Sequence, residues 1–344
     1  MSGGPDPQDL RAAVDAYVAH LPELEVATEG FVRLVTDLLD DAGVNYLSVS
    51  GRTKSVQSFA AKAGRTRDGR PVFPRPLAEI TDQIGLRVIT YVRDDVEIVA
   101  ELLASTLAVL EDRDMGRETA DQGAFGYASR HLLVAVDASR SLTPARELLR
   151  PYAASVQVRT VLQHAWAEFE HDIRYKGTVP VEHASDLNRR FTLAAGLLEL
   201  ADREFSAIRD RLQAMPAVAV EPDGNDPRIG AQDLATFLAG RFPGAGWSRT
   251  EHYGWISGLL LELGITSLDE LGAQLSGVDT AAVNETMGYR YPPAAVRRLD
   301  DALLSLHGAA YLELHGNAHR AEQLRERLAT LRAGSADAGE GGSS

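Results

Sequence analysis

Cations gather in one stretch of this chain. From Gly51 to Arg93, nine basic residues (Arg52, Lys54, Lys62, Arg65, Arg67, Arg70, Arg75, Arg87 and Arg93) stand against three acids, Asp68, Glu79 and Asp82. The window carries +6 inside a chain of formal charge −14. A local cationic patch in an acidic protein suits a concentrated anion such as a nucleotide triphosphate; a solvated basic loop is the competing explanation. Generic signatures are missing: there is no GxxxxGK[ST], GxGxxG or HExxH, so neither a P-loop nor a simple zinc protease motif is present. Glu168 and His171 make one ExxH, whereas di-iron bundles need two such motifs with further carboxylates. His171-Asp172 is an isolated HD dipeptide and reads as structural.

The elements that must hold these residues follow from periodicity. Residues 7–41 read as two helices broken near Pro22, with Leu10, Val14, Tyr17, Val18 and Leu21, then Phe31, Leu34, Val35 and Leu38, at helical spacing. A short strand from Val44 to Val49 runs into Gly51-Arg52, and Arg65 to Pro76 reads as a Gly-, Pro- and Arg-rich mobile loop. Gly85–Val92 reads as a buried strand, Asp94–Leu110 as a helix, and His131–Val136 and Ser155–Thr160 as further strands. From Val161 onward the pattern is helical, interrupted by the linker-like Glu221–Arg228 and closed by the low-complexity segment 334–344. Strands with helices followed by helices alone predict an α+β fold, a small mixed sheet flanked by helices plus an all-helical C-terminal region. The expected divisions are helices over 1–43, a core domain over 44–220, a helical region over 229–333 and a disordered tail over 334–344.

Length and composition bound the class. The 344 residues allow one large or two ordinary domains, and 44% hydrophobic with 24% charged residues is ordinary for globular chains. Zero cysteines exclude disulfides, thiolate catalysis and Cys-ligated metals, and fit a reducing cytosol. The start, MSGGPDPQDL, lacks a basic region followed by an apolar run. The expectation is a cytoplasmic protein with no membrane partner.

Four segments in order narrow the chemistry: Gly51-Arg52-Thr53-Lys54-Ser55 with Ser58 and Lys62; Asp82-Gln83-Ile84-Gly85-Leu86-Arg87; Gly126-Tyr127-Ala128-Ser129-Arg130-His131; and Gln157-Val158-Arg159-Thr160 leading into His164-Ala165-Trp166, Glu170-His171 and Tyr175-Lys176. Together, across about residues 44–215, this series resembles the synthetase domain of the RelA/SpoT family, the (p)ppGpp alarmone synthetases. Fewer than about 50 residues precede it, too few for a further domain, which is similar to the small monofunctional members. The resemblance implies a nucleotidyltransferase-type core in which the 3′-hydroxyl of GDP or GTP attacks the β-phosphorus of ATP and AMP leaves, with Mg²⁺ as cofactor.

The resemblance also assigns roles. Arg52, Lys54, Ser55 and Lys62 match the family's ATP- and phosphate-binding residues, and a helix opening near Ser55 returns Lys62 about two turns after Lys54. Asp82 matches the metal-binding aspartate and, with Arg87, Gln157 and Arg159, the catalytic set; a turn or cap residue is the alternative for Asp82. Tyr127, with Ser129 and His131, matches the guanine-nucleotide site, where an aromatic face suits a flat base; core packing is the alternative. Trp166 reads as core, and Glu170, His171 and Lys176 as bracing. Two positions depart from the pattern. The family glutamate of ExQxRT is Ser155 here, which neither carries charge nor serves as a base at neutral pH. No lysine precedes Tyr127, and Glu147 and Glu168 are the carboxylates nearby in sequence. The expected activity is therefore a ppGpp/pppGpp synthetase of the stringent response acting on ATP and GDP/GTP, with a weakened nucleotide-binding sensor or a toxin-type homologue acting on tRNA as alternatives. Nucleic acid is an expected partner only in the last case, and helix–helix docking or homo-oligomerisation is the default role of the helical region.

Overall fold

The computed structural model describes residues 7–116, 118, 129–137, 144–176, 181–213, 226–289 and 293–340. They fall into two compact units, Met1–Leu38 with Tyr46–Ser206, and Leu39–Asn45 with Ala207–Ser344. In chain order the first unit is drawn from α1 (Pro7–Ala42), β1 (Tyr46–Thr53), α2 (Val56–Ala63), β2 (Thr66–Arg67), β3 (Arg70–Pro71), α3 (Pro76–Glu79), β4 (Ile84–Thr90), α4 (Arg93–Thr106), β5 (Ala108–Asp114), β6 (Arg130–Ala135), α5 (Pro144–Glu147), β7 (Ala153–Thr160), α6 (Val161–Lys176) and α7 (Val181–Gln213).

Five strands form one mixed sheet in the order β1-β4-β7-β6-β5, with β4 and β7 parallel and the other neighbours antiparallel. Because side chains alternate along a strand, the register sorts residues onto two faces. Gly51, Leu86, Val156 and Leu132 share one row, and its large members are at most 2% exposed. Val96, Val99, Ala100 and Leu103 of α4 are also buried, and Glu97 of that helix reaches Arg130 on the same sheet face. On α1, Thr28 and Val32 press so closely on Gly51 that a Cβ there would lie 2.5 Å from the Val32 side chain. Glycine is what lets the helix and β1 meet. The opposite face carries the polar rows described below.

Three expectations change. Residues 7–42 form one helix, not two: Pro22 sits inside α1, where it removes the N–H that would bond the Val18 carbonyl, and Val18 is 48% exposed. The expected helix 94–110 ends at Thr106, and Ala108–Asp114 is an edge strand. Its sequence, AVLEDRD, hides the strand because edge strands carry charge to prevent further pairing. The loop Arg65–Pro76 contains the hairpin β2–β3, whose turn residues Asp68 and Gly69 both have positive φ, 53° and 76°, as a type I′ turn requires.

The second unit is helical: α8 (Ala231–Arg241), α9 (Thr250–Glu262), α10 (Leu268–Leu275), α11 (Thr280–Met287), α12 (Ala295–His307), α13 (Ala309–Leu312) and α14 (Ala321–Glu340). Leu234, Leu238, Ile256, Leu260, Leu299 and Leu303 are among its fully buried residues. The last helix continues to Glu340, into the segment whose composition reads as a tail. Within this apolar core lies an ionic network. Asp300 accepts from Arg320 and Arg327 at 2.5 and 2.7 Å, Asp301 pairs with Arg327 and Arg297, and Arg297 donates to Asp41. Burial alone would raise the Asp300 carboxyl, but Arg327 and Arg320 hold it far below the usual carboxylate range. Among the described residues no helix is long and apolar enough to cross a membrane.

Candidate functional site

The cationic window folds around one carboxylate. Lys54 leaves the end of β1 with its backbone N–H on the Gln83 carbonyl at 2.9 Å. Ser55 then caps α2, its Oγ accepting from the Ser58 N–H, and Lys62 follows in the last turn of that helix. Asp82 lies in the 3-10 turn Thr81–Gln83 just ahead of β4. The Lys54 ammonium meets Asp82 Oδ2 at 2.8 Å, and the Lys62 ammonium meets Oδ1 at 3.0 Å. Burial pushes this carboxyl up, yet the two lysine hydrogen bonds outweigh it and hold Asp82 below its ordinary value. Two further residues brace the cluster without being predicted. The Tyr17 hydroxyl donates to the Lys54 carbonyl at 2.6 Å while its ring stacks on Phe59 at 4.0 Å. Burial, with the Asp82 charge, pushes the Tyr17 hydroxyl up to about 12. Lys62 also lies 5.5 Å from the Phe73 ring centre. Tyr17 is 37 residues from Lys54, and in the sequence it reads only as one apolar position of a helix.

Beside this cluster lies the polar sheet face. One row runs Arg52, Gly85, Ser155, Leu133, Glu111; the next runs Ser50, Arg87, Gln157, His131, Arg113. Arg52 lies across Gly85, so that a Cβ at Gly85 would be 3.6 Å from its Cγ. Arg159, on the same face, is 6% exposed and donates to Gln157 Oε1 at 2.6 Å. Burial, with the neighbouring charges of Arg87 and Arg52, draws its guanidinium down to about 10, against the opposing pull of Glu168. Arg87 pairs with Glu168 of α6 at 2.9 Å. Ser129 Oγ and His131 Nε2 are 2.9 Å apart, and burial holds the His131 ring below its ordinary value. Three guanidiniums thus converge on one side of a sheet, an arrangement suited to phosphate oxygens.

Tyr127 lies outside the described residues, as do Gly126 and Ala128. Trp166 is 8% exposed and packs edge-on to Phe191. Of the two neighbouring carboxylates, Glu147 pairs with Arg150 at 2.7 Å, and Glu168 is the one at Arg87. Its signal in the sequence is i, i+4 spacing from His164 on a helix that directly follows β7. For a divalent cation the protein's own donors are few: no group of three or more His, Asp or Glu gathers among the described residues. One carboxylate at Asp82 fits a cation that takes its remaining ligands from phosphate and water, as Mg²⁺ does.

Residues 51–179 match the family profile described as a region found in RelA / SpoT proteins. The chain is 29% identical over 205 residues to the GTP pyrophosphokinase YjbM of Bacillus subtilis (strain 168), covering 58% of this chain and 89% of that one. Among solved structures it is similar to small alarmone synthetase 1 from Bacillus subtilis (25% identity, 58% of this chain and 100% of that one, TM-score 0.45). It is similar as well to that synthetase bound to its product pppGpp (25%, 58% and 99%, TM-score 0.44). Every described residue of the two basic clusters above, from Arg52 to Arg159, falls within the RelA/SpoT region.

Proposed function

We propose that this protein is a GTP pyrophosphokinase-type enzyme, an alarmone synthetase that makes ppGpp or pppGpp from ATP and GDP or GTP. The observation that carries the reading is the convergence of Lys54 and Lys62 on Asp82 beside Arg52, Arg87 and Arg159, all inside a RelA/SpoT region. In the reaction the 3′-oxygen of the guanine nucleotide bonds to the β-phosphorus of ATP. The bond from that phosphorus to the oxygen bridging the α-phosphate breaks, AMP leaves with the electron pair, and the hydroxyl proton passes to a base. Chemistry of this kind depends on positioning and charge neutralisation. Lys54, Lys62 and Arg52 bind the ATP phosphates in this scheme; Arg87 and Arg159 meet the charge that develops on the transferred group. Asp82 would hold Mg²⁺, which would supply further charge neutralisation when bound. In this scheme Tyr127 stacks on guanine, and Ser129 and His131 bind the acceptor nucleotide. The proposed place of action is the cytoplasm.

Incubating purified protein with ATP, labelled GDP or GTP and Mg²⁺, then separating the nucleotides, tests the reading; product absent at every condition overturns it. Lys54→Glu should weaken binding of a non-hydrolysable ATP analogue at least tenfold by calorimetry, because it replaces a phosphate partner with a like charge. Unchanged affinity removes Lys54 from the site. One observation favours a second reading, a nucleotide-binding sensor of low turnover: the position of the expected glutamate holds the neutral Ser155. Nucleotide binding without product in the same assay identifies it.

A further inference from the structure

The hairpin β2–β3 places two arginines where elementary electrostatics disfavours them. Arg67 and Arg70 are directly opposed in the ladder, on either side of the Asp68-Gly69 turn. Opposed residues of an antiparallel pair project on one face with Cβ atoms about 5 Å apart, and like charges so placed are destabilising. The type I′ turn fixes this register, so the two guanidiniums cannot escape by slipping the pairing. Both side chains are exposed, and among the described residues neither has a carboxylate within ion-pair distance; the neighbouring Asp68 pairs with neither. Asp68, Arg67, Arg70, Pro71 and Val72 line a recess of about 450 Å³. A like-charged pair pinned by its own turn around such a recess becomes favourable once an anion sits between the two cations.

We propose that Arg67 and Arg70 form an anion clamp, separate from the Lys54–Lys62–Asp82 cluster, that takes the phosphates of a polyphosphate or of a nucleoside triphosphate. The guanidinium fork matches phosphate oxygens in pairs, and two opposed forks select a ligand with more than one phosphate over a single one. This inference does not depend on the proposed reaction.

Calorimetry with inorganic tripolyphosphate as the probe tests it, using the full chain with Lys54→Glu so that the other basic cluster does not compete. Binding is expected there, weakening as salt rises, and Arg67→Glu should reduce it at least tenfold. That substitution replaces the like-charged pair with an opposite-charged one, so the variant should melt no lower than its parent, which separates loss of the clamp from loss of the fold. Arg67→Ala with Arg70→Ala should reduce binding likewise. ATP losing affinity in parallel with tripolyphosphate assigns the clamp to nucleotides as well; loss confined to tripolyphosphate assigns it to free polyphosphate. Tripolyphosphate affinity unchanged by both substitutions overturns the clamp, whatever the enzymatic assay shows.

Discussion

Ser155 occupies the centre of the polar face, between Gly85 and Leu133. Gly85 adds no side chain, and the group lying over it is Arg52. A carboxylate built at position 155 would therefore have both room and a cation to face. Ser155→Glu is expected to raise turnover by about 10²–10⁴, the worth of a positioned acid–base group, while leaving nucleotide affinity nearly unchanged because the gain belongs to the transition state. Parallel measurement of product formation and of binding checks this. Robust wild-type turnover that Ser155→Glu does not improve would assign the proton to another carboxylate. Glu168 is then the candidate, since it reaches Arg87 whereas Glu147 is taken by Arg150. Glu168→Gln should in that case lower turnover at least tenfold and Glu147→Gln should not.

At the scale of elements, the junction between β7 and α6 holds the site's geometry. Thr160 ends β7 and its Oγ1 accepts from the Gln163 N–H at 3.1 Å, while Gln163 Oε1 accepts from the Thr160 N–H at 2.9 Å. This reciprocal cap starts the helix that carries Glu168 one residue after the strand position of Arg159. The Thr160 hydroxyl in turn donates to Asp202 of α7 at 2.8 Å. Asp202 is 1% exposed, and burial raises its carboxyl above the ordinary value despite the Thr160 hydrogen bond. A raised folded-state value means that its contribution to stability is present below the unfolded value, near pH 4, and is lost as pH rises through the folded value. Asp202→Asn keeps an acceptor for Thr160 and removes the buried charge. Its melting temperature should match wild type near pH 3.5 and exceed it at pH 7. A fall confined to pH 7 would mean that Asp202 is stabilising when ionised, and an equal fall at both pH values that the substitution disturbs packing whatever the charge.

On the scale of the whole molecule, two units separate two kinds of charge. The first unit gathers exposed and half-buried cations around Asp82 and on one sheet face; the helical unit pairs several of its charges internally. In the latter, Arg297, Arg320 and Arg327 are matched by Asp300 and Asp301 inside an apolar core, and Arg297 also by the part-exposed Asp41. Removing one member leaves a buried charge without its counter-ion, so Asp300→Ala should destabilise by about 3–5 kcal/mol, seen as a lower urea midpoint. Replacing Arg33 or Glu29, an exposed pair on α1, should change stability by less than about 1 kcal/mol. Comparable losses for the two substitutions would contradict the difference in burial on which this rests.

The sequence by itself determined the α+β class, the positions of β4, β6 and β7, and the cluster of basic residues proposed to meet phosphate, because hydrophobic periodicity and local charge are properties of short segments. It also exposed the departure at Ser155, which is a matter of one residue in a recognisable series. Several features were decided only by the tertiary structure. The continuity of α1 through Pro22 depends on which side of the helix meets solvent. The edge strand β5 depends on a neighbouring strand to pair with, since its own sequence is charged. The convergence of Lys54 and Lys62 on Asp82 depends on packing α2 against the turn before β4, and the support from Tyr17 on a helix more than thirty residues away. Glu168 reaches Arg87 only because the parallel pairing of β4 and β7 brings α6 beside that arginine. Contacts of this kind are set by burial and register between distant segments, and no local pattern encodes them.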